Sequence, residues 1–447
     1  MKNLLKNRKF GGYVKRKAVG FLVTAIALTG SVVGCGGGGS SSPLFAQEAW
    51  FSSWGASQNI VEFPEALNNS TARMIVRPSA SGRALRVKIE NTHGKAPVNF
   101  SSVFIGVAGS GAALVTGTNK PLTFNGRSDL QLAPGAGTYS DPVSFEVKAF
   151  ERLAVSLNVA SASDASSHSL GLTTNYLATG LRGGDESANG FVAVNPVAYS
   201  VTPSTTRAFP IYWVAGVDVK TSQVNGSIVT FGDSITDGRC STTTENGALA
   251  TSTPPGVVIP DLYQRWGDVL AERLAAANVP KAVVNESIAG NRIITDGGNG
   301  PTGLVRLDRD VLDRSGATHV VYFEGTNDLA GLATSKELID ASLTLISRVR
   351  AKGLKIIGVT IVPRGNPTPG AGFTALQEKY RLEANNWIRT SGQFDGVIDF
   401  DALLASNVKS SLGAVIMKPE FACGDYIHAN AAGYKQMGNL VDLNLFK

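Results

Sequence analysis

The chain has 447 residues, more than one ordinary domain needs, and its length predicts two or three domains with ample material for a core. Apolar residues make up 43% and charged residues 17%, a globular composition, and beyond residue 34 no run of roughly 18 or more uncharged apolar residues offers a membrane span. The formal net charge of +6 does not point to nucleic acid: the first 34 residues hold seven basic side chains and no acid, and without them the charge is −1.

Those seven, Lys2, Lys6, Arg8, Lys9, Lys15, Arg16 and Lys17, precede an apolar run over residues 18–33, which is the pattern of an export signal. The run ends in Val32-Val33-Gly34-Cys35, followed by glycines 36–39 and serines 40–42. This resembles a bacterial lipobox. It implies a lipoprotein signal peptide over residues 1–34, lipidation of Cys35, and a flexible Gly/Ser-rich tether over residues 35–47. The expected location is the outer membrane or cell surface, held by the lipid, with a periplasmic or secreted protein as the alternative.

Residues 48–219 read as β. Segments 85–89, 103–107 and 153–157 alternate apolar and polar side chains between Gly, Pro, Asn and Ser turns. Short strands at this spacing predict a sandwich or jelly-roll-like domain. Over residues 220–447 the pattern changes. Apolar runs at 227–231, 282–285, 319–323, 354–361 and 397–400 are separated by amphipathic stretches, among them 263–277, 336–352 and 374–391. Such alternation predicts an α/β domain with a parallel sheet covered on both faces, in which ligands bind at the carboxyl ends of the strands.

With Cys35 committed to lipid, Cys240 and Cys423 remain, an even number in an oxidising compartment. A disulfide between them is expected, and two free buried thiols are the alternative.

Residues 227–231 run straight into Gly232-Asp233-Ser234, which sets Ser234 at the carboxyl edge of the sheet. A serine alone says little, since most cap helices or line turns. An unactivated hydroxyl needs a base, and the base needs an orienting acceptor. Of the four histidines, His93 and His168 belong to the β-rich region and His319 opens an interior strand, where a satisfied structural role is expected. His428 follows Gly424-Asp425-Tyr426-Ile427, and the three-residue spacing brings Asp425 within reach of its imidazole.

A tetrahedral oxyanion also needs hydrogen-bond donors, and two strand ends offer them. Gly290, in Ile288-Ala289-Gly290-Asn291-Arg292, allows close backbone approach, and Asn327, in Gly325-Thr326-Asn327-Asp328, carries an amide that can donate. Asp233 and Asp237 are expected to satisfy turn N–H groups rather than act as acids, and Glu324 to be structural, with a ligand role as the alternative. No Gly-x-Ser-x-Gly elbow, phosphate loop or dinucleotide fingerprint is present, and the scarce His and Cys leave no zinc spacing. Neither a metal nor an organic cofactor is expected.

In order, Gly-Asp-Ser, Gly-Asn, Gly-Thr-Asn-Asp and Asp-Tyr-Ile-His resemble the four blocks of the SGNH/GDSL hydrolases, over about residues 227–445. The resemblance implies a flavodoxin-like three-layer domain that hydrolyses carboxylic esters. Ser234 is then the nucleophile, His428 the base and Asp425 its orienter, with an oxyanion hole of the Ser234 and Gly290 N–H groups and the Asn327 amide. Trp50 to Trp54, Ser140-Asp141-Pro142, Arg306-Leu307-Asp308-Arg309-Asp310 and Gly216-Val217-Asp218-Val219 resemble a bacterial subfamily that joins an N-terminal β domain to the esterase and is linked with acetylated xylan and related polysaccharides. Deacylation of polysaccharide is therefore the expected function. A lipase or polyester hydrolase, a glycan O-acyltransferase and a polysaccharide-binding surface lipoprotein are the alternatives. The sequence departs from the subfamily in a longer loop between Cys240 and Tyr263, and in Gly267 where Pro is expected.

Overall fold

The computed structural model describes residues 47–62, 67–194, 199–200, 209–243, 257–295 and 299–447. The expected signal, nearly all of the tether, and Cys35 lie outside the described residues.

Up to Thr221 the chain is mostly β. One antiparallel sheet orders Ala49–Gly55, Val214–Thr221, Gly82–Glu90 and Gly137–Tyr139, with Val143–Val147 also on Gly82–Glu90. A second, larger antiparallel sheet has Ser70–Val76, Leu153–Ser161 and Val98–Val107 at its centre. Met74, Ile105 and Val155 of the larger sheet share one apolar cluster with Val87 and Val217 of the smaller, so the two sheets enclose a common core. Trp213 closes it, edge-on to Phe100 at 5.3 Å. A three-stranded sheet, Ile211–Tyr212, Ala165–His168 and Ile60–Glu62, lies beside them and carries His168.

The α/β part holds five parallel strands, β1 (Ser227–Gly232), β2 (Ala282–Asn285), β3 (Ala317–Phe323), β4 (Lys355–Val359) and β5 (Gly396–Ile398). Their order is β2-β1-β3-β4-β5, that of the flavodoxin-like doubly wound sheet. Alternate strand residues point to opposite faces. Ile228 and Val321 join one cluster with Trp266, Leu270 and Tyr434, while Val229 and Val320 join the other with Leu345 and Ala384. Helices α2 (Trp266–Ala276) and α8 (Ala431–Leu440) thus cover one face, and α5 (Ser335–Ala351) and α6 (Ala375–Thr390) the other. The helices between, in chain order, are α1 (Ser234–Asp237), α3 (Gly303–Leu307), α4 (Thr326–Ala330) and α7 (Phe400–Leu404).

Two expected boundaries move for local reasons. The helix expected from 263 begins at Trp266, because Asp261 and Tyr263 have left-handed backbones and Arg265 is the cap. The last strand ends at Ile398 because Asp399 caps α7, accepting the Ala402 N–H.

The β region and the α/β region lie in one unit, Ala46–Lys447, and are joined by buried polar contacts. Ser227 Oγ donates to the Ser52 carbonyl at 2.7 Å, and the Ser52 N–H donates to Ser315 O at 2.8 Å. Asp218 takes hydrogen bonds from Ser52 and Ser315, each at 2.6 Å. Glu286, which follows β2, accepts from Ser57 at 2.7 Å and pairs with the buried Arg314 at 2.8 Å.

Candidate active site

The carboxyl ends of β1, β2 and β3 meet where the strand order reverses, the place at which doubly wound sheets bind ligands. Gly232 ends β1, and a Cβ there would come within 2.6 Å of the Phe323 carbonyl, so only glycine lets β1 and β3 close up at this edge. Asp233 caps the following turn, its Oδ1 accepting the Ile235 N–H at 2.9 Å. Ser234 is thereby held at the first position of α1, directly over the sheet edge.

His428 reaches Ser234 from the other end of the domain. Its Nε2 is 2.7 Å from Ser234 Oγ, and its Nδ1 is 2.7 Å from Asp425 Oδ2. The carboxylate can only accept, so Nδ1 carries the proton in the neutral ring and Nε2 is left to accept from the serine hydroxyl. The second Asp425 oxygen takes the backbone N–H groups of Ile427 at 2.9 Å and His428 at 3.0 Å. Burial would raise the Asp425 carboxyl, but His428 and these N–H groups outweigh it and hold the group below the usual carboxylate range. Burial pulls His428 below the ordinary histidine value; Asp425 opposes this, and Arg239 and Arg364 add to it.

The turn that carries both residues is fixed from three sides. The Cys423 N–H donates to His428 O at 2.9 Å. Asn430 caps α8 through the Gly433 N–H and donates back to Glu420 O and Ala422 O. The expected disulfide is present: Cys240 and Cys423, 183 residues apart, are bonded with Cα atoms 6.3 Å apart, which ties the segment after Ser234 to the one before His428.

Gly290 follows β2 in a left-handed conformation, φ 79°, that favours glycine. Among the described residues neither its N–H nor that of Ser234 donates to a protein acceptor. The Asn327 amide donates one hydrogen to Asn291 O at 3.0 Å, which leaves its second hydrogen for another acceptor. Asp328 holds the two loops together by accepting the N–H groups of Ile293 and Ile294 at 3.1 and 2.9 Å. The structure therefore brings together Ser234, Gly290, Asn327, Asp425 and His428. His319 and His93 stand apart from this group. His319 starts near the amino end of β3, bonded through Nδ1 to Thr318 at 2.8 Å, but its buried Nε2 has no partner among the described residues, so it is not the fully satisfied histidine expected.

Several organising residues were not singled out for the site from the sequence. Arg306, within a quoted motif, donates to the Gly232 carbonyl at 3.1 Å, Asn291 Oδ1 at 2.8 Å and Glu324 at 3.4 Å, and so links the ends of β1, β2 and β3. Glu324 is buried and meets Arg306 through Oε1, while its Oε2 has no partner among the described residues. Arg364 donates to Thr326 O at 3.0 Å and Asn327 Oδ1 at 3.4 Å and turns the Asn327 amide. Its position just past β4, at the carboxyl edge, was the available signal. Asp237 accepts a turn N–H, as expected, that of Ala289 in the turn after β2 at 2.8 Å, and in addition it faces His168, which the sequence did not indicate.

A doubly wound sheet with a serine, a histidine and donor groups gathered at its switch point defines a hydrolase of carboxylic esters. Residues 230–436 match the family described as GDSL-like lipase/acylhydrolase. No curated protein matches the chain. Among solved structures it is similar to a carbohydrate acetylesterase family member from Sinorhizobium meliloti, at 18% identity over 48% of this chain and 94% of that one, TM-score 0.37. It is also similar to the aryl esterase of M. smegmatis, at 18% identity, 48% and 95% coverage and TM-score 0.35. A third is the psychrotrophic esterase EstA from Pseudoalteromonas sp., at 16%, 48% and 93%, TM-score 0.35.

Proposed function

We propose that the protein is an exported serine esterase that deacylates polysaccharide. The observation that carries the catalytic part is the unbroken hydrogen-bonded line from Asp425 through His428 to Ser234, 2.7 Å at each link. His428 removes the Ser234 proton as Oγ attacks the ester carbonyl carbon, and the carbonyl oxygen takes up negative charge. That oxyanion is received by the N–H groups of Ser234 and Gly290 and by the second Asn327 amide hydrogen. The tetrahedral intermediate collapses with cleavage of the ester C–O bond, and the alcohol leaves with the proton from His428. Water, deprotonated by the same base, then cleaves the acyl-serine and releases the acid.

Export is supported by the basic and apolar N-terminus and by the Cys240–Cys423 disulfide, a bond that persists in oxidising compartments. Attachment through a lipid on Cys35 is supported by the small residues before it and the Gly/Ser run after it. The polysaccharide substrate is supported by the motifs around Trp50, Ser140, Arg306 and Gly216. A panel of acetylated xylan, aryl esters of rising acyl length and polyesters tests it: acetate release and falling rates with chain length are expected. Preference for long chains or polyesters would reverse the substrate reading and leave the catalytic one standing.

A further inference from the structure

We infer that His168, a residue of the β-rich region, is a positioning residue of the active site: it clamps Asp237, and Asp237 fixes the turn of Ala289 and Gly290 that presents an oxyanion donor. The inference rests on the reading of Ser234 as the nucleophile.

His168 ends the strand Ala165–His168 and is 4% exposed. Its Nδ1 is 2.9 Å from the Ser57 carbonyl, which can only accept, so Nδ1 donates. Its Nε2 is 3.1 Å from Asp237 Oδ1, and a carboxylate also only accepts. Both ring nitrogens therefore face acceptors, an arrangement that suits the doubly protonated imidazolium. Asp237 is the last residue of α1, three on from Ser234, and its other oxygen receives the Ala289 N–H at 2.8 Å. One carboxylate thus joins the β region, the nucleophile helix and the turn that carries Gly290. Leu170, Leu172 and Phe209 of the β region pack in one cluster with Ala289 and hold the same turn from its apolar side.

The charged groups around the pair are few. Arg265 donates from Nε to the Asp237 carbonyl and from Nη2 to Leu170 O and Gly171 O, and Asp268 stands 3.8 Å from its guanidinium. Arg77 lines the same small cavity as His168 and Asp237. Burial favours the neutral ring and Arg265 adds to that, but the charge and hydrogen bond of Asp237 and the Ser57 carbonyl outweigh both and raise the pKa above the ordinary histidine value. The clamp is complete below that raised value and is lost as pH climbs through it. His428 must instead be neutral, so the two histidines bound activity from opposite sides.

His168→Gln in the full chain tests this, because glutamine can still donate to Asp237 but cannot titrate. The expected result is a kcat lower by up to about tenfold, the scale of exchanging a charge-assisted hydrogen bond for one with a neutral donor, with KM little changed and the alkaline limb of the pH profile flattened. A purely structural role would lower the melting temperature and leave that limb in place. Unchanged kcat and alkaline limb overturn the inference. If the variant does not fold, 15N spectra of the wild-type histidine rings followed through a pH titration decide: one of the four is expected to stay doubly protonated above the ordinary histidine value, and four rings that are all neutral there overturn the inference. Ser234→Ala assayed in parallel separates the two readings. Activity in that variant removes the basis of both, whereas an inactive Ser234→Ala beside an unaltered His168→Gln removes only this one.

Discussion

Ser234 and His428 are separated by 194 residues of chain, yet Oγ of one lies 2.7 Å from Nε2 of the other. The contact is over-determined. β1 delivers Ser234 to the sheet edge, Asp425 and Asn430 shape the turn under His428, and the disulfide ties Cys240 to Cys423 between them.

The protonation of His428 sets the acid side of the pH profile. Burial lowers its pKa, so the neutral base persists below the ordinary value and is lost only as pH falls through the lowered one. The acid limb of kcat/KM is expected below about 6.5. Asp425→Asn should lower kcat and disturb that limb, since the amide no longer fixes the Nδ1 tautomer, while Asp425→Ala should cost less activity than His428→Ala. A pH-rate series on the three variants checks this; an acid limb above the ordinary histidine range would contradict it.

Asn327 and Arg364 should behave as a donor and its support. Asn327→Ala removes one oxyanion donor and is expected to cost on the order of a hundredfold or more in kcat. Arg364→Met frees the Asn327 amide from its bond to the guanidinium and should cost less, with the double variant no worse than Asn327→Ala alone. Steady-state kinetics of the three proteins on one short-chain ester decide it.

Opening the disulfide should affect stability more than turnover. A cross-link over 183 residues restricts the unfolded chain by an amount near 5 kcal/mol in the entropic account, an upper figure. The Cys423 N–H, Asn430 and Asp425 still hold the His428 turn without it. Cys240→Ser is expected to melt well below the parent yet retain most of its kcat at low temperature. An unchanged melting temperature would contradict this.

The buried pair Glu286 and Arg314 joins the α/β region to the β region through Ser57. Glu286→Ala leaves the Arg314 guanidinium, 1% exposed, without its nearest charge, a change that typically destabilises by about 3–5 kcal/mol. Denaturant unfolding measures it. For the same reason residues 220–447 expressed alone should be far less stable than the whole, since Ser227, Val283 and Ser315 lose partners in the β region.

Much of the catalytic half was legible because it is encoded locally. Runs such as Ile228, Val229 and Phe231 are apolar on both faces and read as covered parallel strands, and the rule of carboxyl ends then selected Ser234, Gly290 and Asn327 from many candidates. Contacts made over long distance were not legible. Nothing near Asp237 announces that His168, 69 residues earlier, will face it, and Arg364 has no spacing that reveals a hydrogen bond to Asn327. In the β region the alternation found the strands, but Gly82–Glu90 pairs with Val214–Thr221 across more than a hundred residues, so pairing order could not be read from local pattern.

The central claim is that Ser234 attacks the ester. Ser234→Ala, assayed on a short-chain aryl ester alongside its circular dichroism and melting temperature, tests this most directly. The account predicts a folded protein with hydrolysis reduced to background, and turnover near the parent rate in a folded Ser234→Ala would contradict it.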